Sequence, residues 1–210
     1  MELWIECDII LTNLKYFRLI LGIGWCTVMS QLQKFMQMLT GSFDNREQYE
    51  KLKGDGVDYP YAEHINTICN DKIRNLPEDF KGFFLVEESY YTTSKGKNAS
   101  PHLFLFTEEK DGILLTSYEL PEGCDKKSFT YAGMPEIDYQ ALKPSSKFTP
   151  ALYRLKDGAF EGGSVSMFTP VLKFTLKERF SEEGLEVSEI MEVNGKRTFG
   201  YDEAILYKRK

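Results

Sequence analysis

The chain has 210 residues, a formal net charge of −6 at pH 7 and 42% hydrophobic residues. That length suits a single domain with a substantial core, and the negative balance argues against nucleic acid or an anionic membrane as the main partner. Four cysteines (Cys7, Cys26, Cys69 and Cys124) lie far apart with no Cys-x-x-Cys, and there are two histidines, His64 and His102. No zinc or histidine-rich metal centre is expected from that spacing, and the cysteines read as free thiols of a reducing compartment.

Residues 1–29 differ from the rest. Ile9–Val28 is apolar but carries Lys15 and Arg18 near its middle. The apolar residues favour membrane insertion by roughly 3–6 kcal/mol and the two basic ones oppose it by roughly 5–7 kcal/mol, so a span is marginal. Glu2, Glu6 and Asp8 do not suit the basic start of a secretory signal. The segment reads as an extension ahead of Met29, with an anchor at residues 9–28 as the alternative, and the domain proper as residues 30–210.

Within that domain, Leu32, Phe35, Met36 and Leu39 recur at helical spacing, which predicts a short amphipathic helix over Ser30–Thr40 stopped by Gly41. Phe43–Tyr49 reads as the opening of a second helix, capped by Asp44 or Asn45. Ala62–Ile73 is expected to be extended. From Gly82 onward the pattern is β: Phe83–Thr93, then Leu103–Phe106 joined to Ile113–Leu120 through a Lys110-Asp111-Gly112 turn, then Ala151–Leu155 joined to Phe160 through Asp157-Gly158. Val171–Phe180 and Leu185–Val193 alternate, and Asn194-Gly195 leads into Lys196–Tyr201 and Ala204–Lys208. Some eight short strands joined by tight turns, with 15 Phe and 12 Tyr, predict an all-β fold, and the meander order favours an up-and-down barrel.

No nucleophile elbow, phosphate loop, zinc-protease helix or dinucleotide fingerprint is present. Alternation instead singles out polar residues on apolar faces. Glu189 shares a face with Leu185, Val187, Met191 and Val193, and either Glu87 or Glu88 points inward from Phe83–Tyr91. Tyr118 and Tyr153 lie among apolar neighbours. Polar groups converging inside a barrel are how ligand pockets are built, although a bulge could turn the same groups to water.

The run Leu39-Thr40-Gly41-Ser42-Phe43-Asp44-Asn45-Arg46-Glu47-Gln48 resembles the opening of the T-type phycobiliprotein (CpcT/CpeT-like chromophore) lyases. The order that follows is also similar: His64-Ile65, Leu76-Pro77, Gly82-Phe83-Phe84-Leu85-Val86-Glu87-Glu88 with Tyr90-Tyr91, and Phe160-Glu161-Gly162-Gly163. The likeness covers roughly residues 36–208. It implies a lipocalin-like antiparallel β-barrel with a short N-terminal helix, a possible homodimer, and a phycocyanobilin-like open-chain tetrapyrrole (a bilin) as ligand, with no further cofactor. The implied activity is delivery of that bilin to a cysteine of a phycobiliprotein subunit, in the cytoplasm or in an algal plastid. The implied ligand contacts are Glu87, Tyr90, Tyr91, His102 and Tyr118, with no catalytic residue from this chain. The chain departs from the family where Pro101-His102-Leu103-Phe104-Leu105 stands in place of an arginine-bearing Pro-Tyr-Arg-x-Arg segment, and where Phe199-Gly200-Tyr201 lacks a tryptophan. A non-enzymatic lipocalin-like binder of another small hydrophobic ligand is the alternative.

Overall fold

The computed structural model describes residues 29–210, so the expectations for the N-terminal segment, with Cys7 and Cys26, lie outside the described residues. The strands are β1 (Gly41–Asp44), β2 (Tyr61–Ile68), β3 (Ile73–Arg74), β4 (Phe83–Thr93), β5 (Gly96–Ala99), β6 (His102–Glu109) and β7 (Gly112–Tyr118). They continue with β8 (Ile137–Asp138), β9 (Ala151–Lys156), β10 (Ala159–Met167), β11 (Leu172–Ser181), β12 (Gly184–Val193), β13 (Lys196–Phe199) and β14 (Ile205–Arg209). Two helices, α1 (Gln31–Leu39) and α2 (Arg46–Gly54), flank β1. Among the described residues, no helix is long and apolar enough to cross a membrane.

Ten strands close an antiparallel barrel in the order β1-β2-β4-β6-β7-β9-β10-β11-β12-β14, and β14 pairs back onto β1. Neighbours in space are neighbours in sequence, the expected up-and-down meander. The Asp157-Gly158 and Asn194-Gly195 turns place both residues at positive φ (50° and 82°, 50° and 75°), which matches the twist of the strands they join. At Gly162-Gly163 the strands approach so closely that a Cβ would lie 2.3 Å from the Leu152 carbonyl oxygen and 2.1 Å from that of Leu176.

The first helix forms as expected. The Ser30 side chain accepts from Gln33 N–H and the Gln33 side chain accepts from Ser30 N–H, a reciprocal cap. Its apolar stripe inserts into one end of the barrel. Phe35, fully buried, meets the rings of Phe160 (5.1 Å), Phe106, Tyr153 and Phe180 (each 5.3 Å). Arg209 fastens the helix end: its guanidinium donates to the carbonyls of Thr40 (2.5 Å), Gln37 (3.0 Å) and Met38 (3.1 Å), a cation on the negative end of the helix.

The second helix begins later than expected, because Phe43 and Asp44 belong to β1. Asn45 sits at the cap position without making the cap bond. Its buried amide instead donates to the Pro60 carbonyl (2.9 Å) and accepts from Ala62 N–H (2.8 Å). Gln48 likewise bonds both Ala204 O and Leu206 N–H (2.9 Å each). The Ala62–Ile73 stretch is a strand only to Ile68; a short 3₁₀ turn at Asn70–Lys72 follows.

Residues 121–142 form a flap over the outer face of β4 and β6. Phe129 and Met134 bury against Phe84, Val86, Leu103 and Leu105. Lys72 ties the flap down by donating to the carbonyls of Tyr131 (2.6 Å) and Met134 (2.9 Å), and β3 pairs with β8.

Phe35→Ala should destabilise the barrel by about 3–5 kcal/mol, because it opens a cavity among four rings. Asn45→Ala should cost about 1–3 kcal/mol through two unpaired buried backbone groups. Urea unfolding monitored by circular dichroism measures both.

Candidate functional site: a cavity with carboxyl groups at its floor

The end of the barrel opposite α1 is open and leads into a cavity of about 670 Å³, within the range of roughly 300–1,000 Å³ usual for small-molecule pockets. Strand β11 marks its depth. Phe174, Leu176, Glu178 and Phe180 face inward in turn, from the mouth at Phe174 to the Phe35 plug at Phe180. Glu178 therefore lies roughly 13 Å of strand below Phe174 at about 3.3 Å per residue. The walls are aromatic, with Phe104, Phe106, Phe148, Phe168 and Phe199 among the lining.

Three carboxyl groups face this interior from three strands: Glu87 on β4, Glu178 on β11 and Glu189 on β12. Ser89 Oγ donates to Glu87 (3.0 Å), Tyr91 donates to Glu189 (3.4 Å) and Tyr153 donates to Glu178. No lysine or arginine side chain pairs with them among the described residues. Burial is therefore the largest influence on all three. It pushes Glu178 up to about 8 and Glu189 up to about 7, reinforced by the negative field of Glu87, and raises Glu87 as well. Charged carboxylates in a low-dielectric interior repel one another, and protonation relieves the cost.

Two histidines join the cluster. His64 Nδ1 lies 3.6 Å from Glu87, and His64 Nε2 lies 3.0 Å from the Tyr207 hydroxyl. Burial holds His64 down at about 3, so this contact joins a neutral imidazole to the Glu87 carboxyl and is not an ion pair. His102 stands opposite Glu87 in the β4–β6 register. Burial lowers it too, with Glu87 opposing.

The structure gathers Glu87, Tyr91 and His102 into the cavity. Tyr118 borders the mouth, but its ring packs edge-on against Phe84 at 5.2 Å, under the flap. Tyr90 is not part of the lining. Alternation turns it outward, where its hydroxyl donates to Glu88 (2.8 Å) and Lys97 lies 4.8 Å from its ring. The same alternation selects Glu87 over Glu88 for the interior; Glu88 accepts from Tyr131 N–H in the flap (3.1 Å). Sequence reasoning missed Glu178 and His64. Glu178 sits between Leu176 and Phe180 on the apolar face of β11, so the parity that marks Glu189 would have found it.

Cys69 is buried, and burial pushes its thiol up to about 12. Burial also raises Cys124, so neither thiol is set up as a thiolate nucleophile. No grouping of His, Cys, Asp and Glu suited to a metal ion occurs among the described residues.

The raised carboxyl groups make stability fall as pH rises. Between the ordinary value of 4.5 and the folded values near 7 and 8, the native state holds protons that the unfolded chain has released. Glu178→Gln and Glu189→Gln stay neutral, so each should gain stability relative to the parent between about pH 5 and about pH 9. Urea melts at the two pH values check this; a pH-independent difference would contradict it. In comparisons with known proteins, no family model matches the chain and no curated protein matches it.

Proposed function

We propose that the protein is a chromophore lyase-like bilin holder. It would take an open-chain tetrapyrrole into the barrel and present it to a cysteine of a phycobiliprotein subunit, where a thioether forms. The observation that carries this reading is the cavity itself: closed at one end, aromatic along its walls, and equipped at depth with Glu87, Glu178 and Glu189. A bilin is a flexible conjugated chain of four nitrogen heterocycles. Flat aromatic walls suit its rings, and carboxyl groups at several depths suit its N–H donors, which need acceptors once out of water. Fixing one conformer would remove much of the orientational cost of attack by the client thiol. The acceptor thiol comes from the client, so the reading asks for no nucleophile from this chain. The resemblance that suggests it also suggests a homodimer.

The second reading is a non-enzymatic binder of another small hydrophobic ligand. One observation favours it: no arginine lines the cavity among the described residues.

Phycocyanobilin titrated with the protein should show a red-shifted, sharpened absorption band that saturates at one bilin per barrel. Glu178→Leu with Glu189→Leu should weaken that binding about tenfold, because bilin N–H groups would be left in the cavity without an acceptor. An unchanged spectrum at tens of micromolar protein would remove the bilin reading and leave the second.

A further inference from the structure

Three lysines line the open end of the cavity: Lys126 and Lys127 from the flap and Lys147 from the segment leading into β9. We propose that they form a docking rim for the anionic end of an amphipathic ligand. The rim would hold a carboxylate or sulfonate at the mouth while the body of the ligand runs down toward the carboxyl floor.

The charge distribution supports this. The chain is acidic, with 32 Asp and Glu against 26 Lys and Arg, yet its cavity mouth is basic. Outside the interior trio, Glu119 is the carboxylate that joins the lining. None of the three ammonium groups is within ion-pair distance of a described carboxylate. Asp125 stands next to the pair in sequence, but its carboxylate accepts the backbone N–H of Lys127 (2.7 Å).

The rim is also held in place. Lys126 and Lys127 precede Phe129, which is 5% exposed and anchors the flap on the barrel wall. The Lys147 ammonium lies 4.3 Å from the centroid of Phe168 and 5.6 Å from that of Phe148, a cation–π arrangement that keeps it over the opening. The floor fixes the direction of entry. The buried floor holds three carboxyl groups and no lysine or arginine partner among the described residues, so a further negative charge would be costly there and the anionic end belongs at the rim. This holds whether or not the ligand is a bilin.

Two probes with one aromatic frame test it: 1-anilinonaphthalene-8-sulfonate, which carries an anion, and N-phenyl-1-naphthylamine, which does not. Both gain fluorescence on leaving water. In low-salt titrations of the full chain, Lys126→Gln/Lys127→Gln/Lys147→Gln should weaken the sulfonate about five- to tenfold and the neutral probe less than about twofold, since exposed ion pairs add fractions of a kcal/mol each. A control of equal charge change away from the mouth, Lys51→Gln/Lys53→Gln/Lys110→Gln, should alter neither. The proposal is overturned if the rim variant leaves the sulfonate unchanged, weakens both probes alike, or is matched by the control, or if neither probe binds the parent. A protein that shows the expected probe pattern but no phycocyanobilin spectrum keeps the rim and loses the bilin.

Discussion

Everything about the interior depends on Phe35. A closed up-and-down barrel has no free strand edge but two open ends, and this chain closes one of them with the helix that precedes β1. Phe35 reaches four aromatic rings from β6, β9, β10 and β11. With that end plugged, the residues just above Phe35 sit at the bottom of the cavity. Arg209 makes the seal part of the barrel, because the last residue of β14 holds the carbonyls at the helix end.

The blind end explains the acid chemistry. Three glutamates on three strands face a space with an aromatic mouth. Their partners are hydroxyl groups, from Ser89, Tyr91 and Tyr153, and a histidine that burial keeps neutral. Hydroxyls donate hydrogen bonds without cancelling charge, so the cluster meets its electrostatic cost by holding protons. An apolar residue at any of these positions would pack at lower cost. Sites where a sequence breaks its local packing rule without compensation elsewhere are where function is expected.

Much of the frame was legible. Strand alternation and Asp-Gly or Asn-Gly turns are local signals, and they located β4, β6, β7 and β9–β14 to within a few residues. The helix stripe was equally direct. Less legible were features set by distant partners. Phe43 looks like the start of a helix until β1 is seen to bridge β2 and β14, and Asn45 looks like a helix cap until its amide is seen bonding the far side of a loop. In the site, parity found Glu189 and narrowed the β4 pair to Glu87 or Glu88. It could not reveal that Tyr118 borders the mouth with its ring turned away, or that lysines from two loops meet there, because loop positions carry no period.

The conspicuous run at residues 43–48 and the Gly162-Gly163 pair serve the frame, which bears on the proposed ligand. Phe43 is core, Asp44 accepts from Tyr61 (3.0 Å) and from Arg46 N–H (3.1 Å), and Asn45 and Gln48 satisfy backbone groups of neighbouring segments. None of these side chains faces the cavity. They hold β1, α2 and β14 in register, and the Gly162-Gly163 pair lets β9, β10 and β11 approach. Such residues specify the frame and are indifferent to its contents. A ligand would be set instead by the lining, where His102 and Phe104 occupy a strand without arginine and three lysines occupy the rim. Basic charge has a place at this mouth, but it comes from loops and not from a strand, so on the proposed docking rim an anion would sit at the opening, with the acid floor below it left to donors.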